Sequence, residues 1–328
     1  LNPKTGYITG TPLVVGSASV TFSVTDSLQT ATGILSFETH APLSISYPNS
    51  GATVGKSFVW SPTVSGGTGI YSISATPALP DGLSIEARNG IISGTPITAM
   101  AYAGTVSVSD AINTNTTPLA FTISAALVWR SGDFSPSVIN KPFSGSVVVS
   151  GGATPLSYSL SNGSLPTGIT LDPLTGALVG TPTQAGSFSP TITVYDTNGA
   201  SVSKTLTLVI YDVLSLTQKP LVFEVGVSVD TSLSITGGNG VYSVSNTGNA
   251  IPDGVLLSES GAFYGKPTTE GQTTLTLMIT DGTQTLTVPV DVSVVAALHV
   301  GDIASQIAGV GESYLFAPTV SGGQYPYT

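Results

Sequence analysis

Cysteine is absent from all 328 residues, which excludes a disulfide framework, thiolate metal ligands and a cysteine nucleophile. Whatever folds here is held by apolar burial alone. Charge is scarce too: Asp, Glu, Lys and Arg make up 8% of the chain, against about 25% in an average globular domain. Eighteen acidic residues against eight basic ones leave a net charge of −10. That balance repels phosphate backbones and excludes nucleic acid as a partner. No apolar run approaches the ~18 to 20 residues that cross a bilayer as a helix. Leu1 to Lys4 lacks the basic start and apolar stretch of a signal peptide, and the chain opens without Met, so the sequence reads as an excerpt whose N-terminus lies elsewhere. Histidine occurs only at His40 and His299, far apart in the chain, so no shared site is expected of them. Gly-x-Ser-x-Gly, His-Glu-x-x-His, phosphate-loop and Gly-x-Gly-x-x-Gly patterns are all missing, which removes the usual bases for nucleophilic, zinc or nucleotide chemistry. Few carboxylates fall outside turns, which leaves little for a glycosidase pair. The expectation is a protein that is not an enzyme.

What is present is 38 glycines, 22 prolines and 41% hydrophobic residues, amid abundant Ser, Thr and Val. The hydrophobic fraction is enough to fold, and the mixture suits short strands joined by tight turns. A cysteine-free, Lys-poor, Thr/Ser-rich chain fits a secreted bacterial or phage protein.

Self-similarity is the main signal. Gly94-Thr95-Pro96 is echoed at Gly10-Thr11-Pro12, at Gly180-Thr181-Pro182 and, with one change, at Gly265-Lys266-Pro267, spacings of 84, 86 and 85 residues. An aspartate ending an alternating strand keeps the same period (Asp26, Asp110, Asp196, Asp281), as does a glycine upstream of each Gly-Thr-Pro (Gly6, Gly90, Gly176, Gly261). A double-glycine turn at Ser65–Gly67 returns at Ser150–Gly152, Thr236–Gly238 and Ser321–Gly323 and sets the phase. Residues 1–40 are then the C-terminal half of a repeat, and 41–125, 126–212 and 213–296 are three complete repeats. Residues 297–328 are the N-terminal part of another. Neither end fragment should close a sandwich without further strands.

Within a repeat, Thr191–Tyr195 and Thr205–Ile210 alternate apolar and polar residues, the pattern of half-buried strands. Asp196-Thr197-Asn198-Gly199 between them reads as a hairpin in which Asn and Gly tolerate positive φ, and Asp281-Gly282-Thr283 as a shorter variant of it. Further turns at Leu79–Gly82, Leu165–Gly168 and Ile251–Gly254 imply about seven short strands per repeat, the count of an immunoglobulin-like sandwich.

The composite string Leu79-Pro-Asp-Gly-Leu-Ser-Ile85, Asn89-Gly-Ile-Ile-Ser-Gly-Thr-Pro96, Val106-Ser-Val-Ser-Asp110 resembles the He_PIG group of immunoglobulin-like domains, which is related to the cadherin-like domains of dystroglycan type. The resemblance covers every repeat, with a departure at Lys266. It implies an all-β fold of tandem Ig-like, cadherin-like sandwiches, found mainly as spacers in bacterial surface proteins, adhesins, secreted hydrolases and phage structural proteins.

Cadherin-like domains bind calcium between modules, which makes Asp26, Asp110, Asp196, Asp281 and the linker residue Asp212 the candidate metal ligands. A calcium ion takes six to eight oxygens, while the junctions Ser124–Leu127, Ile210–Val213 and Val295–Leu298 supply only Asp212 as a carboxylate. The favoured reading makes the four recurrent aspartates turn-formers that accept backbone N–H groups, with no cofactor. Trp60, Trp129, Tyr71, Tyr158 and Tyr242 could form a sugar-stacking platform. The tyrosines, however, follow each double-glycine turn by four to six residues, which reads as repeated packing. Asn162-Gly163-Ser164 and Asn115-Thr116-Thr117 match glycosylation acceptors and read as plain loop residues in a bacterial or phage protein.

Linkers of about one to three residues cannot act as flexible tethers, so the repeats should abut as an extended rod. At roughly 35 to 45 Å per domain it would exceed 100 Å. The expected role is a non-catalytic extracellular stalk of a large bacterial surface adhesin or fibre. Its partners would be the neighbouring repeats, with host-cell or polysaccharide ligands bound through regions outside this segment. A virion structural protein, such as a phage tail or decoration fibre, and a spacer in a secreted polysaccharide hydrolase are the alternatives. Bacterial cell surface or virion surface is the matching location.

Overall fold

The computed structural model describes every residue except Ser131, Asp133, Asp302, Ala304, Ser305, Gln306, Gln324 and Thr328. Among the described residues all regular structure is β, and no helix is long and apolar enough to cross a membrane.

The first complete repeat is a sandwich of two main sheets. One has the strand order Ala52–Thr53, Thr114–Ser124, Met100–Ser109, Ser72–Thr76; the other has the order Phe58–Trp60, Ile92–Gly94, Leu83–Ile85. A short pair, Ser44–Ser46 with Thr63–Ser65, completes it. The repeat thus holds nine strand segments where turn spacing suggested about seven, and prolines account for part of the excess. Pro62 separates Phe58–Trp60 from Thr63–Ser65, and Pro48 lies between Ser44–Ser46 and Ala52–Thr53. Proline has no N–H to give a ladder.

The third repeat reproduces this plan. Leu221–Glu224, Thr285–Val295, Gly271–Thr280 and Ser243–Asn246 form its four-stranded sheet, facing Val229–Ser232, Ala262–Gly265 and Val255–Leu257. The second repeat departs from it. The stretch expected as one strand, Thr205–Ile210, belongs to two, Ser201–Thr205 and Leu208–Tyr211, and its partner is likewise split into Gly186–Phe188 and Thr191–Tyr195. Pro190 is the cause: it interrupts the ladder where Gly104 and Leu275 continue it in the other repeats, leaving one bond from Leu206 N–H to its carbonyl at 2.9 Å. In the other two repeats proline sits on the opposite strand, at Pro118 and Pro289. There only one neighbour is paired, so no ladder bond is lost.

Burial follows the repeats. In the third, Leu221, Phe223, Val244, Phe263, Leu275, Ile279 and Val292 belong to one core cluster. In the second, Phe143, Leu178, Ile192, Val194, Leu206 and Ile210 belong to another. The first is filled by an aromatic group with Phe58, Trp60, Tyr102 and Phe121 beside an aliphatic one with Leu43, Ile45, Ile73, Val106 and Val108. Each core is drawn from a single repeat. Ahead of these repeats, the hairpin Gly16–Thr25/Thr30–Thr39 keeps its apolar face open, with Val24 at 74% and Phe37 at 42% exposure.

Candidate functional site: the turn aspartates and the repeat junctions

Each recurrent aspartate closes a hairpin. Asp110 Oδ1 accepts the N–H groups of Ile112 (3.0 Å) and Asn113 (2.7 Å), and Asp281 Oδ1 those of Thr283 (2.8 Å) and Gln284 (2.6 Å). Asp26 Oδ1 does the same with Leu28 and Gln29, both at 2.8 Å. The loop of the second repeat, residues 196–200, is one residue longer, so Asp196 Oδ1 bonds to Asn198 N–H (3.0 Å) and Ala200 N–H (2.7 Å). Its conformation corrects the sequence reading in one respect: Gly199 takes positive φ (+76°), whereas Asn198 does not.

The second carboxylate oxygen reaches the double-glycine turn. Oδ2 accepts Thr68 N–H at 2.8 Å in Asp110, Ala153 N–H at 3.0 Å in Asp196 and Asn239 N–H at 3.0 Å in Asp281. One side chain therefore pins two loops. Bonds from Leu28 and Gln29 hold the Asp26 carboxyl below its usual range. The Asn113 N–H foremost, with those of Thr68 and Ile112, lowers Asp110. For Asp281, burial pushes upward, yet the N–H groups of Gln284, Thr283 and Asn239 outweigh it and the pKa is lowered.

As candidate calcium ligands these carboxylates are already engaged: the positive ends of N–H dipoles point at their oxygens, where a cation would have to sit. Asp212 is exposed in the linker, and what it gives to the fold is its main-chain carbonyl, which accepts from Gly238 N–H (3.0 Å) and Gln284 Nε2 (2.8 Å). Among the described residues no three His, Cys, Asp or Glu side chains gather as a metal ion requires.

The double-glycine turn also grips the linker. Gly67, Gly152, Gly238 and Gly323 donate their N–H groups to Ala41, Ala125, Asp212 and Ala296 at 2.7–3.0 Å. The fit is tight: a Cβ on Gly67, whose φ is +63°, would stand 2.3 Å from Asp110 Oδ2.

Aromatic side chains mostly turn inward. Trp60 is 5% exposed, donates Nε1 to Pro48 O at 2.8 Å and packs against Tyr47, Phe58 and Phe121. Trp129 lies half-buried on the second core, its Nε1 enclosed without a hydrogen-bond partner among the described residues. Tyr71 and Tyr242 donate to the first glycine carbonyl of their own turns, Gly66 at 2.9 Å and Gly237 at 2.8 Å, and Tyr327 repeats this with Gly322 at 2.7 Å. Tyr158 is not their equivalent. Leu156 holds that place in the second repeat, and the Tyr158 ring covers Gly176, where a Cβ would lie 2.6 Å from its Cε1. His40 faces Glu38 at 3.7 Å, while His299 sits in a short strand pairing with Ser321. Asn115 uses its amide on Leu43 O at 2.9 Å, and Asn162 is exposed at the end of its strand.

Thr53, which the sequence did not single out, and Asn198, read there only as a turn residue, join the first repeat to the second. Thr53 Oγ1 donates to Asp196 Oδ2 at 2.5 Å, and Asn198 Nδ2 donates to Ala52 O at 2.8 Å and to Thr53 Oγ1 at 3.1 Å. The extra residue in the 196–200 loop was the available signal.

With cores confined to single repeats and the same turn chemistry in each, comparison with known proteins is decisive. The signature of He_PIG, described as "Putative Ig domain", matches residues 41–126, 132–211 and 210–295. The chain belongs to this family. These He_PIG repeats are 29% identical over 121 residues to the "Serine-rich adhesin for platelets" of Staphylococcus aureus strain MRSA252, covering 36% of this chain and 9% of that protein. The chain thus spans under a tenth of that relative's length. Among solved structures, the I-band fragment I67–I69 of titin aligns with a TM-score of 0.46 at 10% identity, over 77% of this chain and 97% of that one. The protocadherin gamma B4 extracellular domain aligns at 0.36 and 13% identity, over 86% and 56%.

Proposed function

We propose that this chain is a non-catalytic stalk segment of a large bacterial surface adhesin or fibre, holding a distal binding region away from the cell. The observation that carries this reading is the clamp on the linkers. Ala41, Ala125, Asp212 and Ala296 each give a carbonyl to the following double-glycine turn, so the connection from one repeat to the next is pinned at its downstream side. A pinned linker of a few residues transmits orientation, where a Gly/Ser tether would lose it. Scarce charge supports the same role, since a surface with few ions changes little with salt. The family's tandem arrangement and the resemblance to a staphylococcal adhesin agree with an extracellular setting. Host-cell or polysaccharide ligands then belong to regions beyond these repeats.

Small-angle scattering on the chain tests the reading, with binding assays on host-cell and polysaccharide surfaces beside it. A stalk gives an elongated scattering profile and no saturable binding. A collapsed profile, or a saturable ligand of the repeats themselves, overturns it.

A further inference from the structure

The junctions between repeats are built from equivalent positions filled by different residues. Thr53, Val138 and Glu224 each close the parallel pairing between the first part of a repeat and its last strand, opposite Ser124, Tyr211 and Val295. From that position Thr53 reaches Asp196 of the second repeat, and Glu224 Oε1 accepts Leu298 N–H beyond the third repeat at 2.6 Å. Val138 has no polar atom to offer.

Loop length separates the junctions again. In the second repeat the five-residue loop carries Asn198, whose amide holds Ala52 and Thr53 of the first repeat. The loop of the third repeat, residues 281–284, is a residue shorter. Its one amide, Gln284, turns back on its own linker, to Asp212 O at 2.8 Å and Leu214 N at 3.1 Å.

We propose that the first and second repeats are latched into one rigid pair by Thr53, Asp196 and Asn198, and that the chain bends at the junction between the second and third. Hydrogen bonds are directional and weaken steeply off-axis, so a bonded triad fixes the angle between two domains. The apolar contact that Val138 can supply is non-directional and tolerates tilt. Thr53 is 1% and Asp196 7% exposed, so water does not compete for their bond while the junction stays closed, and opening it strips a hydrogen bond from a carboxylate. The stalk would then be a series of rigid and yielding joints set by one residue position and one loop insertion. This goes beyond the spacer role and does not rest on it, since unequal joints would stand in a chain that proved to bind a ligand.

The chain has no cysteine, so cysteine pairs introduced for spin labels are unique. Ser84, Thr170 and Leu256 are exposed at equivalent places in the three repeats. In the full chain, Ser84→Cys with Thr170→Cys reports the first junction, and Thr170→Cys with Leu256→Cys the second. Electron–electron distance measurements should give a narrow distribution for the first pair and a broader one for the second. Thr53→Val, which installs the residue that the second repeat already carries, and separately Asn198→Gly should broaden the first distribution and leave the second unchanged. Equal widths in the parent chain, or a first distribution that neither substitution broadens, would overturn the proposal.

Discussion

Gly94 and Gly82 lie so close that neither can carry a side chain: a Cβ on Gly94 would stand 2.0 Å from the Gly82 carbonyl oxygen, and one on Gly82 2.0 Å from the Thr95 oxygen. Between them runs the bond from Thr95 N–H to Gly82 O at 2.9 Å. The Leu-Pro-Asp-Gly and Gly-Thr-Pro strings are thus two halves of one backbone clasp, repeated at Gly168/Gly180 and Gly254/Gly265.

Gly94→Ala should therefore cost about 3 to 5 kcal/mol, combining a backbone clash with a φ of +140° that L residues avoid. Trp60 is buried in the same repeat. In a Trp129→Phe background, denaturation followed by Trp60 fluorescence should show the first repeat unfolding early, and a midpoint equal to that of the parent would refute the clasp.

Ala111 and Gly282 occupy the same place in their hairpin loops, at φ +71° and +82°. Left-handed backbone costs a non-glycine residue roughly 1–2 kcal/mol, partly offset by the larger unfolded-state entropy of glycine. Ala111→Gly is expected to stabilise the first repeat by about 0.5–1 kcal/mol, and Gly282→Ala to destabilise the third by a similar amount. Calorimetry on the two variants measures both, and shifts of the same sign would contradict this.

These two cases show what was legible in the sequence. Strings that recur with an 85-residue period announced the fold, because each is a run of turn residues whose chemistry is local. That Gly82 and Gly94 meet was not legible, since contact between two turns depends on the sheet separating them. Periodicity also failed at Pro190, where the alternating pattern of Thr205–Ile210 continued through a ladder that proline broke on the partner strand. Tyr158 misled because a shift of two residues after the turn moves an aromatic ring to a different register. Asn198 looked like turn chemistry alone, and its partner lies 145 residues away in sequence.

The lowered aspartates predict a particular acid limb. A carboxyl group whose native pKa lies below its unfolded value adds stability that is complete above the ordinary value of 3.8. As pH falls through the native pKa the unfolded chain takes up protons that the native one refuses, and the contribution drains away. Stability should be flat above about pH 5 and decline below about pH 4. Asp110→Asn should lower stability at neutral pH and flatten that decline for the first repeat. Equal acid slopes in the variant and the parent would show that Asp110 is not responsible.

Calcium should matter little to these repeats. Because the turn aspartates already accept two or three N–H groups, a chelator or millimolar calcium should move Tm by less than about 2 °C, against the ~4–8 °C that 1 kcal/mol of ligand stabilisation gives a domain of this size. A larger shift would reinstate Asp26, Asp110, Asp196, Asp281 and Asp212 as ligands.

Parallel pairing of the first and last parts of each repeat has a mechanical consequence for a chain under tension. Pulling the ends of a repeat apart slides two parallel strands past each other and loads all their hydrogen bonds together, whereas an antiparallel pair peels one bond at a time. The third repeat joins Leu221–Glu224 to Val292–Val295 over four residue pairs, while the first and second have two each, Ala52–Thr53 with Ile123–Ser124 and Ser137–Val138 with Ile210–Tyr211. The third repeat should yield last when the chain is stretched from its two termini. Val225→Pro, which removes the N–H that bonds to Val295 O at 3.0 Å at the end of this pairing, should bring its rupture force down towards that of the other two. A third repeat that ruptures first, or a force unchanged by the proline, would mean that another element bears the load.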